Sequence, residues 1–268
     1  MKLKQTNIKV LLFFFLSLFV FYTTVAALPE EVFYDFHRLY SWRILYSTIT
    51  LGSVFCLNFD TLKRRHWINA VVFGALSMGH RAPLSSNFVV GVTVFFVYLA
   101  AVSLNDESEY KIKMFTSLKV RDMTLNMVII LVVLILFTVS WFTNHFQGVE
   151  FGLHIHPFGI AHALAPSVSE EIIFRLFLFS LMIKLNRGLE VNTITLLVIM
   201  VVPFALLHAI DETIRYGFTH PSAYGIWISV VPMAVIISLL AMKRGLFTAM
   251  GVHFAMNLPS LVLSQAQP

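Results

Sequence analysis

The sequence predicts an all-α fold, a polytopic transmembrane helical bundle of eight or nine spans. Three observations carry that reading. Of 268 residues, 58% are hydrophobic and only 12% charged, where a soluble domain carries about 25% charge. The mean hydropathy is +0.81. The apolar residues gather into runs near the length that a hydrocarbon core of about 30 Å demands of a helix, and basic residues collect at one set of their ends.

The runs follow in order. The first, 10–28, comes after Lys2, Lys4 and Lys9 and ends in Thr24-Val25-Ala26-Ala27 before Pro29. That pattern fits a cleavable signal peptide or an ordinary first transmembrane helix, and it decides between eight spans and nine. The next are 40–59, 67–80, 86–104, 125–143, 157–184, 190–209, 225–242 and 246–264. The run 67–80 is short and interrupted. Lys63, Arg64 and Arg65 follow the second run, and Lys111, Lys113, Lys119 and Arg121 follow the fourth. Lys184 and Arg187 follow the sixth, and Lys243 and Arg244 the eighth. With every run spanning, all these clusters face one side, which the positive-inside rule makes cytoplasmic. The chain shows no internal repeat and no low-complexity tract. It divides into 1–28, N-terminal transmembrane helices over 29–150, and a helical core over 151–268.

Charge and cysteine content set the partners. The net charge of +5 resides largely in membrane-flanking loops, so the expected partners are the lipid bilayer and a protein or peptide substrate, with no nucleic acid. The expected place is a multi-pass position in the plasma (inner) membrane. Cys56 is the single cysteine, so no intrachain disulfide can form.

Three patterns stand out in the last third: Glu170-Glu171-Ile172-Ile173-Phe174-Arg175, Phe204-Ala205-Leu206-Leu207-His208 and His253-Phe254-Ala255-Met256-Asn257. An ionisable group at the centre of a span costs roughly 2.5–3.5 kcal/mol on insertion scales. Glu171 and Arg175 are four apart, so they share a helix face, and Glu170 points elsewhere. A local alternative exists for each pattern. Ser167-Val168-Ser169-Glu170 after Pro166 fits a capping box at a helix start. His208 lies beside Asp211 and Glu212 and could mark the polar end of its span. His253 and Asn257 could be interhelical hydrogen-bond glue.

Depth favours one shared site. At about 1.5 Å per residue, Glu170 lies roughly 21 Å from Lys184, His208 roughly 24 Å from Asn192, and Asn257 roughly 20 Å from Arg244, with His253 a turn lower. Groups from three helices thus fall near one level. Their chemistry is coherent. A carboxylate can deprotonate a water, a neutral imidazole can orient it, and a second imidazole with an amide can donate to an oxyanion. Those are the parts of an amide hydrolase that needs no covalent nucleophile. A His-Glu-x-x-His zinc motif, a Gly-x-Ser-x-Gly elbow and a pair of aspartates in two spans are all missing from the sequence. His154, His156 and His162 precede the sixth span and could bind a metal with Glu170, although a solvated loop is the plainer reading. His220 reads as surface.

The ordered triple resembles the CPBP family (CAAX proteases and bacteriocin-processing proteins, also called Abi), whose marks are Glu-Glu-x-x-x-Arg, Phe-x-x-x-His and His-x-x-x-Asn or Asp. The resemblance covers about 160–260. It implies Glu170 as general base, His208 helping to activate the water, and His253 with Asn257 at the oxyanion. Glu171, Arg175 and Phe204 become supporting residues, and neither a metal nor another cofactor is called for. The expected activity is an intramembrane endopeptidase acting on a membrane-associated or exported protein. A proton-coupled transporter and a non-catalytic scaffold or immunity protein are the alternatives.

Overall fold

The computed structural model describes residues 42–79, 84–106, 111–115, 117–145, 153–155, 158–185, 192–216 and 221–265. The first run, with its choice between signal peptide and helix, lies outside the described residues, as do His156 and His220. The helices are α1 (Trp42–Phe55), α2 (Arg64–Leu76), α3 (Leu84–Asp106) and α4 (Val120–His145). They continue as α5 (Gly159–Glu170), a π segment (Glu171–Leu178), α6 (Phe179–Leu185), α7 (Thr193–Tyr216), α8 (Pro221–Arg244) and α9 (Leu246–Val262). The expected all-α class holds. One addition comes from outside it: β1 (Leu153–Ile155) pairs antiparallel with β2 (Leu263–Gln265). This ribbon ties the segment before α5 to the end of α9. Three-residue strands carry too little period-2 pattern to be seen in a chain this apolar.

Among the described residues, two helices are long and apolar enough to cross a membrane by length and composition, over Asn87–Asn105 and Val120–Thr143. They do so in opposite settings. The α3 window is 67% buried, and Val94, Val97, Tyr98, Leu99, Ala100 and Ala101 sit in the core. No residue of the α4 window is fully buried; Ile129, Ile130, Val133 and Phe137 pack on the core, and the rest of the helix turns its apolar surface outward, as a lipid-facing helix must. The remaining runs do not pass that test among the described residues, and their crossing of the bilayer is a proposal.

Close packing without a water-driven hydrophobic force needs small residues and interhelical hydrogen bonds. Both are present. A Cβ on Gly74 would come 2.9 Å from the Gly91 carbonyl oxygen, so α2 and α3 cross nearly backbone to backbone. One on Gly79 would lie 2.7 Å from the Ala161 carbonyl oxygen. The Thr50 and Thr93 hydroxyls meet at 2.7 Å between α1 and α3, and Asn69 Nδ2 donates to Tyr98 Oη at 3.2 Å.

The sixth run behaves differently from a single regular helix. Pro166 sits inside α5, where it has no N–H for the carbonyl four residues back. Ser167 is buried and donates its hydroxyl to the Ala163 carbonyl at 2.7 Å. Ser167 is therefore mid-helix and caps nothing, which removes the capping-box reading. The helix then widens into π geometry from Glu171 to Leu178 before returning to α. Such π turns are rare and recur at functional sites.

Candidate active site

Their four-residue spacing brings Glu171 and Arg175 together even in the π segment. Arg175 Nη1 lies 3.3 Å from Glu171 Oε1, and both side chains are fully buried. The approach is an ion contact without hydrogen-bond alignment. Glu171 Oε2 and all three guanidinium nitrogens of Arg175 are buried with no hydrogen-bond partner in the protein. The Arg175 guanidinium instead lies over the Phe204 ring, 4.0 Å from its centroid, a cation–π contact that a dry site strengthens. Phe174 meets the same ring edge to face at 5.4 Å.

Phe204 links this pair to α7. Its backbone carbonyl holds His208 Nδ1 at 3.0 Å, and the two rings lie 4.4 Å apart. A carbonyl only accepts, so Nδ1 carries the proton, and the neutral ring presents a lone pair at Nε2. His208 is half-buried, and α7 runs on two turns beyond it to Tyr216. His208 therefore lies within the helix and not at its end.

The third helix closes the cluster. His253 Nδ1 lies 2.9 Å from Glu171 Oε1 in a buried contact across 82 residues of sequence. Its other nitrogen, Nε2, lies 3.7 Å from Glu170 Oε2. One imidazole thus stands between two adjacent carboxylates. The two carboxylates differ in access. Glu171 is sealed, whereas the Glu170 side chain keeps 19% of its surface exposed. Glu170 Oε2 has no hydrogen-bond partner either. Buried polar atoms with unused valences are uncommon in a structural ion pair and usual where a site must receive something. Asn257 sits half-buried one turn beyond His253 on α9.

Glu170, Glu171, Arg175, Phe204, His208 and His253 are joined by contacts running through three helices; Asn257 shares the face of α9 with His253. Three of these links were not legible from sequence: the bond from His253 to Glu171, the ring of Phe204 over Arg175, and the bond from His208 to the Phe204 carbonyl. Only the last has a sequence signal, a four-residue helical spacing. Among the described residues, no group of three or more His, Cys, Asp or Glu side chains forms a metal-ligand set. His162 packs beside the Phe158 ring at the start of α5.

The chain thus carries a carboxylate–imidazole cluster buried between three helices. The comparison with protein families narrows this. Residues 152–259 match the model described as type II CAAX prenyl endopeptidase Rce1-like, which assigns that segment to the CPBP/CAAX protease family. The match supports a CAAX-type intramembrane protease, a hydrolase. No curated protein and no solved structure matches the chain.

Proposed function

We propose that the protein is an intramembrane endopeptidase that hydrolyses a peptide bond of a membrane-associated or exported protein with a water activated by Glu170. The observation that carries this reading is the placement of His253 between Glu170 and Glu171, with Glu170 alone of the two carboxylates reachable.

Glu170 accepts a proton from water as the hydroxide oxygen bonds to the scissile carbonyl carbon. His208 Nε2, left as an acceptor by its bond to Phe204, orients that water. The carbonyl oxygen becomes an oxyanion, which Asn257 and His253 stabilise. His253 has committed Nδ1–H to Glu171, so it donates from Nε2 only as the imidazolium, whereas the Asn257 amide donates in any state. The C–N bond then breaks and the leaving nitrogen takes the proton from Glu170. Glu171, Arg175 and Phe204 hold the two histidines in place.

The contacts also adjust the depth argued from residue counts. His253 stands nine residues from Arg244, about 13 Å along the helix, and it touches Glu171. A cluster near the middle of a core about 30 Å thick is within reach of a prenylated tail that enters from the basic-loop face. The protein purified in detergent, given a fluorogenic prenylated CAAX peptide and an unprenylated control, tests the proposal. Cleavage that disappears in Glu170→Gln is the expected result. Equal turnover in Glu170→Gln would move the base elsewhere, and no cleavage of any membrane substrate would favour a transporter or scaffold.

A further inference from the structure

We propose that residues 111–115 and 117–121, leading into α4, with the α8–α9 turn on which they dock, form a binding site for anionic phospholipid headgroups. The segment is built as a rigid platform. Asn105 clamps Ile112 from both sides, donating from Nδ2 to the Ile112 carbonyl at 3.1 Å and accepting its N–H at Oδ1 at 3.2 Å. From there the chain alternates. Ile112 is buried and Met114 packs on the core, while Lys111, Lys113 and Phe115 face out. Two cations and an aromatic ring are thus presented on one exposed edge, followed by exposed Leu118, Lys119, Val120 and Arg121.

The edge is fastened to α9. The Lys113 carbonyl accepts the N–H of Leu246 at 2.9 Å, and the Met114 carbonyl that of Phe247 at 3.1 Å. Those are first-turn amides, which no residue within the helix can satisfy. Phe115 stacks on Phe247 with centroids 4.3 Å apart. The fastening brings the turn that carries exposed Lys243 and partly exposed Arg244 to this edge. Gly245, with φ 94°, makes the sharp reversal that brings them there.

Charge complementarity chooses the occupant. Residues 111–121 contain four basic residues and no acidic one, and the turn adds two more. The acidic Asp106, Glu107 and Glu109 fall within the loop that Asn105 and Ile112 close, ahead of Lys111 in the chain, and Asp122 lies within α4. Partly exposed aromatics set among cations at the end of an apolar helix match the headgroup layer of a membrane, where each Lys or Arg contributes roughly a fivefold preference for an anionic surface. An aqueous partner would leave Leu118 and Val120, 71% and 80% exposed, in water. Because the platform caps the helix that carries His253 and Asn257, lipid held there also steadies the first turn of α9.

The test uses the whole chain in neutral detergent micelles and needs no substrate. Native mass spectrometry counts retained phosphatidylglycerol against phosphatidylcholine, and hydrogen exchange follows the Leu246 and Phe247 amides. The wild type should retain phosphatidylglycerol preferentially, lose it in high salt, and exchange those two amides more slowly with the lipid bound. The triple variant Lys113→Gln, Lys119→Gln, Lys243→Gln should weaken retention at least tenfold with unchanged melting, and the matching Lys→Arg triple should restore it. Lys63→Gln with Arg64→Gln, at the start of α2, should leave retention intact. Equal loss in the α2 variant would reduce the effect to net charge and overturn the site. Displacement by an acidic peptide at equimolar concentration, or by inorganic phosphate at low millimolar concentration, would overturn the assignment to lipid. If the triple variant does not fold, a salt-insensitive wild type, or one that holds the two lipids equally, overturns it instead.

Discussion

Glu170 and Glu171 are adjacent carboxylates with opposite surroundings, and the difference should show in their variants. Glu170→Gln keeps shape and hydrogen-bonding capacity and removes the proton acceptor. Turnover should fall by about 10²–10⁴-fold, with melting in detergent unchanged. Arg175→Ala should act on stability. It leaves Glu171 charged and sealed without its cation, at a cost of about 3–5 kcal/mol, and strips Phe204 of its cation–π partner. A lowered melting temperature and reduced yield of folded protein are expected, and wild-type melting would show that the pair contributes nothing. Residue identities and helical spacing announced both groups. They could not announce which carboxylate His253 would choose, because that bond spans two helices and depends on how these cross.

At the scale of the element, α9 carries the oxyanion proposal. Asn257→Ala should lower kcat by about 10²–10³-fold, as loss of one oxyanion donor does, with KM little changed. His253→Ala should match it, and the double variant should lose less than the product, since both serve one charge. If the pair were only interhelical glue, stability would fall by about 0.6 kcal/mol per lost bond and turnover per folded molecule would hold. The helix contacts make a second prediction. Gly79→Ala puts a Cβ within 2.7 Å of the Ala161 carbonyl oxygen, a backbone atom that cannot rotate away. Overpacking of that kind costs about 1–3 kcal/mol, read as a drop in melting temperature. The helices were legible because apolar runs of this length leave few alternatives. The π segment was not. A one-residue widening of a helix changes no periodicity that an almost uniformly apolar stretch can display, and Pro166 with Ser167 wrote a plausible helix start where the chain runs straight through.

The whole molecule poses the question of sidedness. Two helices pass as spans on length and composition, yet all the basic clusters after the second, fourth, sixth and eighth runs fall on one side only if the intervening runs cross too. The docking of Lys113 and Met114 on Leu246 and Phe247 supports this arrangement, because it brings together two basic segments that the count places on the same face. Reporter fusions decide it. A phosphatase or fluorescent reporter joined after Arg65, Lys119 or Lys184 should register cytoplasm, and one within 145–155 should register the outside. The reversed pattern would put the platform and the mouth of the site on the other face. A mixed pattern, with Lys119 and Lys184 on opposite sides, would mean that one of the runs 125–143 and 157–184 does not cross. Glu170 and His253 would then approach the membrane from one surface, and a substrate tail would reach them without entering the bilayer core.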